Sequence, residues 1–233
     1  MYFKWVVVNQ KFNLFDETAM RIALKQAEIA FSRDEVPVGA CLFLNGKLIS
    51  TGYNRVHETK DASMHAELIC LKEAAKSLSD FRLEGAILYI TLEPCAMCAG
   101  AIHNFRLKKV IYGAKDLRVG AAGTLYNLFD GNHPIHKVEC VGGLMEEQSA
   151  ELLRKFFKMK RENKKMDLLF EEMINHQKKK LLMLAQEIVP GVTEEDILQP
   201  FDFKELEQNP DFRYEEGILH GILSTKAAFL AKI

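Results

Sequence analysis

Two short stretches hold the residues best equipped for chemistry. "TLEPCAMCAG" (91–100) sets Cys95 and Cys98 three apart behind a proline, and "DASMHAEL" (61–68) sets His65 two residues before Glu67. In the first turn of a helix, cysteines at this spacing share one face and can reach a single ion, and the helix N-terminus favours the thiolate a metal needs. The same geometry serves thioredoxin-like redox chemistry. The cysteine pair alone therefore leaves a redox couple, half a structural zinc site and a catalytic metal centre all open. His-x-Glu alone is a weaker signal. On a regular helix, residues two apart point about 200° away from each other, whereas at a helix entrance both can turn toward one ion.

Together the two stretches say more. His65, Cys95 and Cys98 are three ligands, one short of a structural zinc tetrahedron, and catalytic zinc keeps its fourth position for water. Glu67 beside that water can carry protons while the metal draws the water's pKa toward neutrality. An open metal position next to a carboxylate makes a hydrolytic site. The combined pattern, His65-Ala66-Glu67 with Pro94-Cys95-Ala96-Met97-Cys98, is the H-x-E…P-C-x-x-C signature of the zinc deaminases.

The flanking sequence must position these groups. From Asp16 to Arg33 the apolar residues Ala19, Ile22, Ala23, Ala27, Ala30 and Phe31 follow helical spacing, with Asp16 as the expected cap. "VPVGACLFLNGKLISTGYN" (36–54) reads as two strands joined at Asn45-Gly46. The pattern then predicts a helix over His65–Lys76, a strand over 86–92, a helix over Ala96–Asn104 and a strand over 109–115. A loop opens at Gly120–Gly123, followed by an expected short helix near Leu125–Phe129, a strand over Lys137–Val141 and a long helix from about Met145. This order predicts a three-layer α/β/α sandwich around a mixed sheet. Beyond residue 165 the strand signal ends. Leu169, Met173, Leu181, Leu184 and Ile188 keep helical spacing up to Pro190-Gly191. Thr193 and Asp196 then suggest a capping box, Asn209-Pro210 marks a break, and 215–231 reads as a final helix. The expected organisation is a zinc-dependent deaminase domain over 1–165 and an all-helical appendix over 166–233.

Composition narrows the class. No run of about 18 apolar residues exists to span a membrane, and the N-terminal "WVVV" patch is too short for a secretory segment. Five cysteines, an odd number, do not suggest a disulfide framework. A cytoplasmic location with reduced thiols is expected, with Cys41, Cys70 and Cys140 as buried small hydrophobes. The net charge of −1 conceals an excess of +5 over 1–165 and −6 over 166–233, which suggests units with different partners.

Within the zinc deaminases, the chain resembles the bacterial tRNA adenosine deaminases from about Glu17 to Lys165. The likeness is carried by "VPVGA" (36–40), Asn54-Arg55, "HAE" (65–67), "TLEPCAMCAGA" (91–101), "YGAKDLRVGAAGTL" (112–125), His136 and "FFKMKR" (156–161). The resemblance implies a cytidine deaminase-like fold and a homodimer with one zinc per subunit on His65, Cys95 and Cys98. It implies hydrolytic deamination of adenosine to inosine at the wobble position of a tRNA anticodon, with Glu67 as the proton shuttle. Substrate contacts fall on Asn54, Ala66, Asp116 and His136, and RNA contacts on Lys158, Lys160 and Arg161. The chain departs from the family pattern at Phe105, Ile135 and Lys137. The alternative reading is a zinc deaminase of a free base or nucleoside of the guanine or cytosine type. For the acidic appendix, a protein-interaction or dimer-stabilising role is expected in preference to phosphate contact.

Overall fold

Successive side chains of a strand face opposite sides of its sheet, and this alternation builds the protein's two main cores. A computed structural model describes residues 11–131 and 133–231; the N-terminal "WVVV" patch lies outside them. In chain order the elements of the first part are α1 (Leu14–Ser32), β1 (Gly39–Leu44), β2 (Lys47–Tyr53), α2 (Val56–Thr59), α3 (Ala66–Leu78), β3 (Ile87–Leu92), α4 (Ala96–Asn104), β4 (Lys109–Ala114), β5 (Glu139–Gly142) and α5 (Glu146–Ile188). The strands form one sheet in the order β2-β1-β3-β4-β5. β1 is antiparallel to β2 and β3, while β3, β4 and β5 run parallel.

Ala40 and Leu42 of β1, Leu88 and Ile90 of β3, and Val110 and Tyr112 of β4 point to one core, with Ala66, Leu71 and Ala74 of α3 and Ala99 and Ile102 of α4. Their neighbours Cys41, Phe43, Tyr89 and Ile111 point to the other, against Ala19, Met20 and Ala23 of α1. Strands buried on both faces read as unbroken apolar runs. Phe156 at the start of α5 meets Phe31 of α1 edge-on at 5.7 Å, which places it on α1's side of the sheet. The result is the expected α/β/α sandwich with a mixed sheet.

Several local expectations change. The cap of α1 is Asn13, whose Oδ1 accepts the Asp16 N–H at 3.0 Å while Asp16 Oδ2 accepts the Asn13 N–H at 3.0 Å. Asp16, expected as the cap, is thus the far half of a capping box, and its other oxygen accepts the buried Tyr89 hydroxyl at 2.7 Å. The hairpin forms at Asn45-Gly46, with φ of 50° and 75°, as a type I′ turn requires. The short helix expected near Leu125–Phe129 is absent. That segment is a series of turns held by a bridge between Ala122 and Asn127.

The chain divides into two compact units, one ending at Phe157 and the other beginning at Lys158, within α5. The second unit adds α6 (Lys204–Glu207) and α7 (Pro210–Leu230). It has its own apolar core, which includes Ile174, Leu181, Ala185, Val192, Ile197, Leu206, Phe212 and Leu219. A polar knot crosses this unit: Gln177 Nε2 donates to Glu215 Oε2 at 2.7 Å, and Lys180 Nζ donates to Glu215 Oε1 at 2.7 Å. Thr193 and Asp196 bond reciprocally, but they open only a 3-10 turn over Asp196–Leu198. α7 starts five residues earlier than expected, capped by Asn209 with Pro210 in its first turn. No helix among the described residues is long and apolar enough to cross a membrane.

Candidate metal centre and substrate pocket

His65 and Cys95 are the N-cap residues of α3 and α4, both with extended backbone (φ −78°, ψ 151° and φ −75°, ψ 173°). An N-cap side chain ordinarily accepts one of the helix's first N–H groups, and neither of these does. They turn toward each other instead. Cys95 Sγ and Cys98 Sγ lie 3.7 and 3.5 Å from His65 Nδ1. Zinc bonds of about 2.3 Å to sulfur and about 2.0–2.1 Å to nitrogen, set at a tetrahedral angle, place S and N about 3.6 Å apart. The donor set therefore fits zinc. The Cys98 thiol donates to Cys95 and brings the Cys95 pKa down to about 4, supplying the thiolate that a metal requires. The same bond, with burial, pushes Cys98 up.

Glu67, in the first turn of α3, is buried, and its Oε2 has no partner in the protein. Burial pushes its carboxyl above the ordinary range, since water no longer stabilises the charge. Glu67, His65 and Cys95 line a cavity of about 410 Å³ whose wall also includes Asn54, His57 and Asp116. Val36, Val38, Val56, Leu92, Leu153 and Phe157 supply the apolar part. The volume lies within the range that takes a small-molecule-sized group.

The remaining candidates sit at different places. Asn54 is buried in the cavity wall, and its Oδ1 accepts the Ala66 N–H at 2.9 Å, tying the end of β2 to the start of α3. Close approach makes this possible: a Cβ on Gly52 would lie 2.5 Å from the Ala66 carbonyl oxygen. Ala66 itself is packed in the core and its N–H is taken by Asn54. Asp116 is in the wall, and its Oδ1 accepts the N–H groups of Arg118 and Val119 at 2.8 and 3.2 Å. His136 does not line this cavity. Its Nε2 donates to the Leu107 carbonyl at 3.1 Å and its own carbonyl faces His103 Nδ1 at 2.8 Å. Lys158, Lys160 and Arg161 lie on α5 in the second unit.

Glu93 and Glu35 matter to the pocket, yet neither is among the expected site residues, although Glu93 lies inside "TLEPCAMCAGA". The buried Glu93 carboxylate accepts N–H groups from Asp116 (3.1 Å), Ala122 (2.8 Å) and Thr124 (3.1 Å), and also the Thr124 hydroxyl. The segment from Asp116 to Thr124 is wrapped around this one acid. Gly120 is required there, because a Cβ would come within 2.5 Å of Glu93 Oε2. The neighbouring glycines of "GAAGT" were the only hint of a tightly folded loop. Glu35 is likewise buried in the cavity wall.

The family pattern described as the cytidine and deoxycytidylate deaminase zinc-binding region matches residues 14–114. That span contains all three metal donors and Glu67, so fold and site define a zinc-dependent deaminase. The tRNA-specific adenosine deaminase of Bacillus subtilis is 45% identical over 151 residues, covering 64% of this chain and 93% of that relative. The Haemophilus influenzae protein of the same name is 40% identical over 154 residues, covering 66% and 89%. The chain belongs to the tRNA-specific adenosine deaminase family. A solved structure from a study of A-to-I editing by tRNA:A34 deaminases at the wobble position matches with TM-score 0.56 and 42% identity, covering 58% of this chain and 99% of that one. A guanine deaminase from Nitrosomonas europaea, 24% identical with TM-score 0.54, shares the fold alone.

Proposed function

We propose that this protein hydrolyses adenosine to inosine at the wobble position of a tRNA anticodon, releasing ammonia. The reaction class rests on one observation: His65, Cys95 and Cys98 converge at a cavity that also holds the unpartnered Glu67 oxygen. The choice of substrate rests on the family. When bound by His65, Cys95 and Cys98, zinc supplies an activated water for attack on C6 of the base. Glu67, through its unpartnered Oε2, would hold a proton and pass it to ring nitrogen N1. It then delivers the second proton to the amine, which leaves as ammonia as the C6–N bond breaks and the C6–O bond remains. A carboxyl raised by burial suits a group that must hold a proton between two transfers.

Asn54 and Asp116 are the wall residues assigned to the base and its neighbours. Ala66 takes part through its N–H, which fixes the orientation of the Asn54 amide. Lys115 and Arg118, exposed in the same wall and without an ion-pair partner among the described residues, are assigned to phosphates. His136, Lys158, Lys160 and Arg161 are assigned to RNA outside the cavity. The reading further holds that the enzyme is a cytoplasmic homodimer, that residues 1–165 carry the activity, and that 166–233 form a protein-interaction or dimer-stabilising module.

The test is a transcribed anticodon stem-loop with adenosine at the wobble position, assayed for inosine and ammonia with and without zinc. Zinc-dependent formation of both is expected. Ammonia from free guanine or cytosine, with no inosine in the stem-loop, would replace this reading with that of a free-base deaminase.

A further inference from the structure

Glu67 is not alone in the cavity wall in holding an unpaired carboxylate oxygen. Glu35, between α1 and β1, is 1% exposed and lines the same cavity. Its own N–H donates to the Ala30 carbonyl at 2.9 Å, which fixes its backbone to the end of α1. Glu35 Oε1 accepts the Glu58 N–H at 2.7 Å. Glu58 is in the first turn of α2, where helix N–H groups have no partner within the helix, and the α2 N-cap residue Arg55 makes no side-chain capping bond. Glu35 therefore caps α2 from another segment and holds Val56 and His57 at the cavity. Its second oxygen, Oε2, has no partner in the protein. A buried carboxylate oxygen left unpaired is costly, and in native structures it calls for a ligand, an ion or a water.

The proposed substrate narrows what that ligand can be. A carboxylate only accepts hydrogen bonds, so the substrate must present a donor. Adenine has one, the exocyclic amine, and this group must lie at the metal donors to be displaced. Within an RNA strand the 3′ and 5′ oxygens are esterified. The 2′-hydroxyl is thus the remaining donor of the target nucleotide, and it is the group by which a protein tells RNA from DNA. We infer that Glu35 Oε2 accepts a hydrogen bond from the 2′-hydroxyl of the target nucleotide and makes the enzyme prefer ribose to deoxyribose at that position. The inference rests on the function proposed above. It gives Glu35 two roles, a cap on α2 through one oxygen and sugar recognition through the other.

The experiment measures kcat/KM of the full-length, zinc-loaded protein on three anticodon stem-loops. One is all ribose, one is 2′-deoxy at the target adenosine alone, and one is 2′-deoxy at the preceding nucleotide alone. A charge-assisted hydrogen bond corresponds to a preference for target ribose of roughly 10- to 100-fold in the wild type. In Glu35→Leu the preference should fall to within about threefold: loss of the α2 cap slows both targets, and the ribose target loses the further factor that the hydroxyl contributed. Glu35→Gln keeps an oxygen for the Glu58 N–H and should still lose at least about threefold of the preference, because a charged acceptor is replaced by a neutral one. Zinc content and a melting curve confirm that each variant is folded. A wild type indifferent to the target 2′-hydroxyl overturns the inference without any variant. So does a preference that maps only to the preceding nucleotide, or one that survives intact in both variants. Failure of the wild type to form inosine on the all-ribose stem-loop is a separate result, and it removes the proposed function itself.

Discussion

At the scale of single residues, the metal donors and Glu67 have separable tasks, although they meet at one cavity. His65 Nδ1 faces both sulfurs, while Glu67 Oε2 is bonded to nothing in the protein. Removing the carboxylate should therefore leave the donor set intact and remove proton transfer. Glu67→Gln is expected to lower kcat on an anticodon stem-loop by at least about 100-fold, the lower end of what a positioned acid–base group contributes. Its zinc content, measured by metal analysis, should equal the wild type's. Cys98→Ser is expected to do the reverse and lose zinc, taking activity with it. A Glu67→Gln protein that had lost its zinc would show that the carboxylate serves the donors and not the substrate.

The scale of elements is where Glu93 acts. Its carboxylate collects three N–H groups and a hydroxyl from the Asp116–Thr124 loop, and that loop brings Asp116, Leu117, Arg118 and Val119 to the cavity. Glu93→Gln puts an amide NH2 where an N–H donor now points, so part of the loop must let go. KM for the stem-loop should rise by about tenfold with kcat changed far less, consistent with loss of one charge-assisted bond. Equal falls in kcat and kcat/KM would instead place Glu93 in the chemistry. Next to Asp116 stand Lys115 and Arg118, exposed cations with no ion-pair partner among the described residues. For each single-strand phosphate that a protein cation neutralises, the slope of log K against log salt steepens by about 0.7. Lys115→Ala combined with Arg118→Ala should therefore flatten the salt dependence of stem-loop binding by about 1.4, the effect of two such cations. An unchanged slope would remove both residues from the phosphate-binding set.

These two scales also explain what could be read from the sequence. The strands declared themselves through alternation that buries both faces, and Asn45-Gly46 declared its turn through local backbone chemistry. The metal donors were legible because residue type and spacing suffice when each piece lies within one helix turn. Glu93 and Glu35 were not, because their partners lie far along the chain: Ala122 is 29 positions beyond Glu93, and Glu58 is 23 beyond Glu35. The same remoteness defeated the helix expected near Leu125–Phe129. Leu125, Leu128 and Phe129 have helical spacing, but the N–H groups of Ala122 and Thr124 just before them are claimed by Glu93. Asp16 was misplaced by only one turn, because Asn13 competes for the same capping role and its side chain accepts the Asp16 N–H.

For the whole molecule, the consequence is two units on one chain whose apolar cores share no residue. The sheet's cores draw on α1, α3, α4 and the strands, whereas Leu181, Phe212 and Leu219 close a core made only of residues after Lys158. About a third of the chain lies outside the match to the Bacillus subtilis relative, while the three metal donors lie within the 14–114 match to the zinc-binding region. A core substitution in the second unit should then leave the metal centre alone. Leu181 is fully buried, and truncating a buried leucine to alanine costs about 2–5 kcal/mol. A unit of this size has only a modest reserve of stability. Leu181→Ala is therefore expected to produce an early thermal transition, seen as partial loss of helical circular dichroism. Bound zinc should be retained through that transition and released only at the later one. Two transitions are expected because each unit melts around its own core. The metal readout decides the matter: zinc released in the early transition would mean that the second unit's core supports the deaminase fold directly, and that the two units behave as one cooperative structure.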